Sequence, residues 1–431
     1  MMAVAAVFIA WASGDAHAQA GASLNVTTVH CGHLIDTQRG KLLGDTTIVV
    51  EGKRIRDVVE GHRVLPGAAE IDLAGQTCMP GLIDCHTHLT FETNPTSFRD
   101  QSQWSIADYS IRSTVYAQRT LMAGFTTVRN LGDLHNESIA LRNAVNAGVL
   151  PGPRIFSAGI AIGSTGGHAD KIQALNTDEA GDPSLKYSII NSPEDAWRAV
   201  RQHYKDGVDL IKIMASGGIG DEGSNVENPE LTLNEIKAIV AAAHDYGFTV
   251  AAHAYGAEAI RRAILGGVDS IEHGTFISNE DIELMKEQGI WYVPTISALK
   301  YLADNAKLAG YYSPQVAAKA LLVGPLALAT AGRVYKAGVK IAFGTDAAVY
   351  PHGENAKEFG YMVEAGIPPM YAIQSATIHA AELLKHEKDF GSVTAGKFAD
   401  IVAVAGNPLE DISLMTRMSF VMKEGLVYKR P

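Results

Sequence analysis

The sequence predicts an α/β fold: a (β/α)8 TIM barrel with a small β-sandwich formed from both chain ends. Three observations carry this prediction. Eight short apolar runs alternate with helical patterns through the middle of the chain, β-type runs with tight turns occupy its two ends, and metal-binding residue types sit at the carboxyl ends of the apolar runs.

At 431 residues the chain exceeds one ordinary core, although α/β barrels routinely reach this size. The expected division is a catalytic barrel over residues 81–387 and a composite β domain from residues 21–80 and 388–431. Composition is 47% hydrophobic and 19% charged, as in soluble globular proteins, and past the first residues no apolar run reads as long enough to span a bilayer. No membrane partner is therefore expected. Lys and Arg number 36 against 47 Asp and Glu, for a net charge of -11 without any basic block, which argues against nucleic acid as a partner. Cys31, Cys78 and Cys85 are too few and too odd in number for a disulfide framework and lack zinc spacing; a single bridge stays open. Met1 to Ala20 reads as an export signal, an apolar run Ala3 to Ala12 followed by the small-x-small pattern Ala16-His17-Ala18, although no Lys or Arg precedes the run. A periplasmic or secreted location is expected.

In chain order, Asn25-Val26-Thr27-Thr28-Val29 and Thr46-Thr47-Ile48-Val49-Val50 read as strands, the latter ending in the turn Glu51-Gly52-Lys53. The same texture returns in Ala399 to Val404 and Ser419 to Met422, so the two ends are expected to pair. Between them the eight barrel strands are Gly81–His88, Phe125–Leu131, Arg154–Ile162, Asp209–Ala215, Phe248–Ala254, Ser270–Gly274, Trp291–Ile296 and Lys340–Thr345. Helical patterns such as Leu233–Tyr246, Glu258–Leu265 and Ser278–Gln288 separate several of them, with polar starts and a glycine after the end at Gly247 and Gly289. The polar stretch between His168 and Asn191 reads as a long mobile loop near the site. The segment Lys300 to Leu328 reads as a lid, an oligomer contact or an ordinary outer helix pair. No Gly-rich phosphate loop is present.

A barrel places its chemistry at the carboxyl ends of its strands. The first strand ends in His86-Thr87-His88, whose imidazoles project to one face and can grip one metal. Lys212 is a lone cation in Leu210-Ile211-Lys212-Ile213-Met214, and His253, His273 and Asp346 end the fifth, sixth and eighth strands. Each has an ordinary alternative. A strand histidine is more often a hydrogen-bonded core residue, and Asp346 taken alone suits a helix cap. A buried ammonium, however, must be paired or neutralised. Six such residues on five strands of one predicted barrel point together to a metal site. His168, in the Gly-rich loop after the third strand, and Tyr255, two residues past His253, are candidates for touching substrate. Arg129, near the end of the second strand, is a candidate for carboxylate binding, with pairing to a neighbouring acid as the alternative.

Pro80-Gly81-Leu82-Ile83-Asp84-Cys85-His86-Thr87-His88 resembles the opening of the amidohydrolase superfamily, and Gly396-Lys397-Phe398-Ala399-Asp400-Ile401-Val402 resembles its return to the small sandwich. Thr165-Gly166-Gly167-His168, Ala215-Ser216-Gly217-Gly218 and Ala251-Ala252-His253-Ala254-Tyr255-Gly256 are similar to the imidazolonepropionase-like branch with its prolidases, Xaa-dipeptidases and ochratoxin-hydrolysing members. The resemblance implies two divalent metal ions, zinc first. His86, His88 and Asp346 would hold one and His253 and His273 the other, with Lys212 between them as a carbamate made from carbon dioxide. It implies that Asp346 acts as general base and then acid, that His168 meets the scissile carbonyl, and that Tyr255 meets the substrate's carboxylate. The implied substrate is a small-molecule amide, an N-acyl amino acid or dipeptide with a free carboxylate, ochratoxin A included. A homo-oligomer is also implied, with an octamer as one candidate form. Two alternatives remain at this point: a mononuclear cyclic-amide hydrolase or deaminase, against which Lys212 counts, and a non-catalytic relative, against which the complete ligand set counts.

Overall fold

The computed structural model describes residues 26–173 and 188–431. The export-signal expectation at residues 1–20 and most of the polar loop after His168 lie outside the described residues.

The middle of the chain forms two parallel sheets. Leu82–Thr87, Phe125–Asn130 and Arg154–Ser157 make one; Ile211–Met214, Val250–Ala254, Ser270–His273 and Trp291–Val293 make the other. Hydrogen bonds join them at both edges. Asp209 N donates to Ser157 O at 2.7 Å and Met214 N to Ile162 O at 2.9 Å on one side. On the other, the extended run 340–346 takes the eighth place: Tyr292 N donates to Lys340 O at 2.9 Å, Cys85 N to Phe343 O at 2.8 Å and Asp346 N to His86 O at 2.7 Å. Pairing thus runs round a closed ring. Most residues of these strands are buried because side chains pack on both faces, which explains why they read as continuous apolar runs without alternation.

The helices around the ring carry the expected punctuation. In Leu233–Asp245 a capping box joins Thr232 to Glu235, and the buried Ile236, Ile239, Val240 and Ala243 follow helical spacing. Ser278 caps Asn279–Gln288 by accepting from Asp281 N, and Gly289 ends that helix in the left-handed region at φ 70°. Two strand expectations were too long. Regular pairing in the third stops at Ser157, and the seventh stops at Val293 because helix Ile296–Asn305 begins directly after it.

The two chain ends do pair, within one hydrogen-bonded eight-stranded sheet. Ala69–Pro80 is the reason. Most of its length runs parallel to Val26–Asp36, while its last residues, Gln76 to Pro80, pair antiparallel with Ile401–Ala405. Hydrogen bonding therefore runs unbroken from one chain end to the other, and the sheet curls until Ile55 N donates to Lys397 O and Ala399 N to Lys53 O, at 2.9 Å each. The parallel pairing carries a bulge around Gly32, where a Cβ would lie 2.0 Å from Ala74 O, so only glycine fits. This sheet has its own core, including Val29, Ile48, Val50, Leu73, Ile401 and Phe420. Arg154, from the ring, reaches Asp400 and Glu424 at 2.9 Å each and fastens the sheet to it.

The bridge left open by the cysteine count is present: Cys31 and Cys78 are joined, and Cys85 is a buried free thiol. A second correction concerns Pro314–Ala337, which is long and apolar enough to cross a bilayer by length and composition. Its apolarity is spent on packing, since Val316, Ala320, Val323, Ala327, Ala331 and Val334 are buried in the main core. A 3-10 turn at Gly324–Leu326 divides it into two helices.

The disulfide closes a separation of 47 residues. In the chain-entropy picture it stabilises the folded chain by about 4 kcal/mol. Cys31→Ser/Cys78→Ser should show a clearly lower urea midpoint than the oxidised wild type, and reductant should lower the wild type to the same value. Equal midpoints would mean that the bridge adds nothing.

Candidate metal centre

The polar side chains singled out from the sequence converge at one end of the ring. His86 Nε2 and His88 Nε2 lie 3.4 and 3.1 Å from Asp346 Oδ1, and donor atoms of the three residues all fall within 4.8 Å of one another. Lys212 Nζ is 3.5 Å from His86 Nε2 and almost wholly buried. The ring of His273 lies 5.0 Å from that of His86 and 4.8 Å from that of His253, centre to centre. Four imidazoles, one amine and one carboxylate thus face a common space.

Burial sets the chemistry of these groups. It drives His86, His253 and His273 well below the ordinary histidine pKa, with Lys212 and neighbouring imidazoles adding to the effect. Each is therefore neutral at pH 7 with a lone pair to offer, the form a metal needs. Burial also pushes Lys212 down to about 8, against the charges of Glu272 and Asp346. For Asp346 burial acts upward, but His86, His88 and Lys212 outweigh it and hold the carboxyl below the usual range. Neutral imidazole nitrogens and an ionised carboxylate, beside an amine that burial makes easier to deprotonate, are a donor set that fits divalent metal ions.

Several positioning residues were not identified from the sequence. Glu272 Oε2 lies 2.8 Å from His86 Nδ1, fixing the ring so that Nε2 faces the centre. Its Oε1 pairs with Arg129 Nη2 at 2.8 Å. Arg129 also donates to Cys85 O at 2.6 Å and Ser270 Oγ at 3.2 Å, and is 1% exposed. That engagement is the alternative reading of Arg129, pairing with a neighbouring acid, and makes it a buried strut of the ring. Asp84, inside the first motif, accepts from His86 N, Thr345 N, Thr345 Oγ1 and Asn355 Nδ2, and burial pushes it up to about 7 against those bonds. A charged residue inside an apolar strand, the signal that exposed Lys212, was also available for Asp84, Arg129 and Glu272.

The backbone turns sharply where these side chains leave the strands. His273, Thr295 and Asp346 have φ of 68°, 50° and 59°, a region non-glycine residues rarely enter. His273 is then held by Thr295 Oγ1 at 2.6 Å from its Nδ1 and by Tyr292 OH, which donates to its carbonyl at 2.8 Å.

The two substrate candidates flank the second pair of imidazoles. The His168 ring is 4.8 Å from that of His253, and its Nδ1 lies 2.6 Å from Asp221 Oδ2. Tyr255 is nearly buried; it stacks on His273 at 4.9 Å and meets His253 edge-on at 4.8 Å. Packing against the ligands is thus a definite role of its ring.

Residues 77–427 match the amidohydrolase family. The chain belongs to that family. Ochratoxinase of Aspergillus niger is 34% identical over 378 residues, which span 82% of this chain and 76% of that one. A crystallised Xaa-Pro dipeptidase with methionine in its active site is 45% identical with a TM-score of 0.90, covering 94% of this chain and all of its own. A prolidase complexed with N-methylphosphonate-L-proline is 33% identical, with a TM-score of 0.86 and the same coverage. This amidohydrolase therefore acts on amide-type bonds as a hydrolase.

Removing the Glu272 carboxylate would strand the Arg129 charge and free the His86 ring. Glu272→Ala should cost about 3–5 kcal/mol in urea unfolding of the metal-free protein. Metal titration of the surviving folded fraction should show affinity weakened roughly 10- to 100-fold. Unchanged metal affinity would show that His86 is oriented by something else.

Proposed function

We propose that this amidohydrolase holds two divalent metal ions, zinc first, in a (β/α)8 barrel and hydrolyses the amide bond of an N-acyl amino acid or dipeptide with a free carboxylate. The observation that carries the reading is Lys212, a lysine amine buried between His86 and the carboxylates of Glu272 and Asp346 and pushed down to about 8. An ammonium there would be costly; a neutral amine can add carbon dioxide and become an anionic bridge between two metals. His86, His88 and Asp346 would hold one ion, His253 and His273 the other, and carbamylated Lys212 both. When bound, such a pair polarises the scissile carbonyl and acidifies the attacking water.

The chain's own residues would do the rest. Ionised Asp346 accepts a proton from the water as oxygen bonds to the carbonyl carbon, then returns it to the nitrogen as the C–N bond breaks. His168 presents Nε2 to the carbonyl oxygen. Tyr255, locked between His253 and His273, offers its hydroxyl to the substrate carboxylate. The likenesses to an ochratoxinase and to an Xaa-Pro dipeptidase with methionine in its active site support this substrate class. Export of the chain is part of the proposal, supported by the Cys31–Cys78 bridge, which persists in oxidising compartments. So is a homo-oligomer, supported by the exposed Leu321, Leu322 and Leu326 on the outer helices.

Elemental analysis of wild type and Lys212→Ala, alongside a panel of N-acyl-phenylalanines, Xaa-Pro dipeptides and ochratoxin A, tests the reading. The expected result is about two metal ions per wild-type chain, with both occupancy and cleavage lost in the variant. One ion per chain with equal activity in the variant would sink the carbamate bridge and favour a mononuclear cyclic-amide hydrolase.

A further inference from the structure

His168 is held with unusual care for a loop residue. Its Nδ1 meets Asp221 Oδ2 at 2.6 Å, and its backbone N–H donates to Glu230 Oε2 at 2.8 Å. Its ring lies flat over Gly218, where a Cβ would come within 2.2–2.4 Å of three ring atoms. Among the described residues, Nε2 has no hydrogen-bond partner. One nitrogen is thus tied down and the other left open beside the second pair of imidazoles.

Asp221 is in turn fixed by a distant element. Ser224 donates to it twice, through N–H and Oγ, at 2.8 Å each. Lys319, on helix Pro314–Val323, sends its ammonium into the same loop: Nζ donates to Gly218 O at 2.7 Å, Asp221 O at 2.5 Å and Ser224 O at 3.0 Å, and lies 3.6 Å from Asp221 Oδ1. All three donors of the ammonium are used on one loop, and the side chain is only 13% exposed. An ammonium half-sequestered in this way is spent on holding that loop in one shape. The bonded pairs lie 95 to 101 residues apart in sequence, so this is a tertiary clamp and no local turn contact.

We propose that Lys319 is a positioning residue that clamps the loop 217–225 and, through Asp221, holds His168 at the edge of the centre. The helix Pro314–Val323 is then part of the apparatus that meets the substrate. This rests on the hydrolase reading for its kinetic test and on the structure alone for the placement. Asp221 engages Nδ1 and leaves Nε2 as the nitrogen that faces the centre, and the floor at Gly218 sets the plane of the ring. The clamp keeps both where they are.

The test is a double-mutant cycle on the metal-loaded enzyme with Lys319→Met, His168→Ala and the pair, using the best substrate of the amide panel. Lys319→Met should lower kcat about 10- to 100-fold at unchanged metal content, while adding less than a factor of ~2 in the His168→Ala background. Gly218→Ala, which pushes the ring off its floor and leaves Lys319 intact, should give a similar loss that also vanishes in that background. Equal fold losses with and without His168 would overturn the proposal. Absence of any cleavage by wild type would count against the hydrolase reading instead. Crystal structures of wild type and Lys319→Met then decide the placement: a His168 ring displaced from Gly218 supports the clamp, and an unmoved ring overturns it.

Discussion

Glu272 joins the architecture of the ring to its chemistry. One oxygen meets His86 and the other Arg129, each at 2.8 Å, in a place water does not reach. Arg129 continues the chain to Cys85 O, one residue before His86, so the second, sixth and first strands are tied at a single depth. Taking a guanidinium and a carboxylate out of water is costly, and a buried ion pair is no more stabilising than apolar residues of similar volume. Its presence is accounted for by orientation: with Nδ1 committed to Glu272, His86 turns Nε2 toward Asp346 and Lys212. The remaining donors crowd in only because that first ring is fixed.

The backbone strain at the same end follows from this demand. A regular strand alternates its side chains between faces and cannot aim three successive carboxyl ends at one point. Left-handed turns at His273, Thr295 and Asp346 make that possible, at about 1–3 kcal/mol each. Each is held by bonds across the ring: His273 by Thr295 and Tyr292, Asp346 by its N–H to His86 O. Stability is given up locally to bring donors together, and the well-packed strands below supply it.

What was legible in the sequence follows the range of the interactions concerned. Strand positions, helix caps at Thr232 and Ser278, and the spacing of His86 and His88 depend on neighbours within a few residues and could be read directly. Lys212 could be read because a lone cation in an apolar strand has few innocent explanations. Arg129 and Glu272 carried the same signal with opposite signs, but their pairing spans 143 residues, so the sequence offered an acid partner for Arg129 without saying which one. The strand order of the composite sheet was out of reach for a similar reason. Which side of Ala69–Pro80 pairs with which partner is decided by Val26–Asp36 and Ile401–Ala405, far apart in the chain. The cysteine count could leave one bridge open without naming its partners, because nothing local shows that the odd one, Cys85, sits in the ring and has no part in it.

The site divides its work between two kinds of support. The candidate metal donors sit on or directly after buried strands of the ring. His168 sits on a loop, and loops tolerate change. A loop residue can serve chemistry that needs sub-ångström placement only if something outside the loop restrains it. The contacts of Lys319, Asp221 and Gly218 answer that need, and the same loop meets the ring through Gly217 O, 3.2 Å from His253 Nε2. Under the proposed clamp, substitutions at Gly218 or Lys319 would act on the placement of His168 first, because the strand-borne donors have their own supports in Glu272, Thr295 and Tyr292.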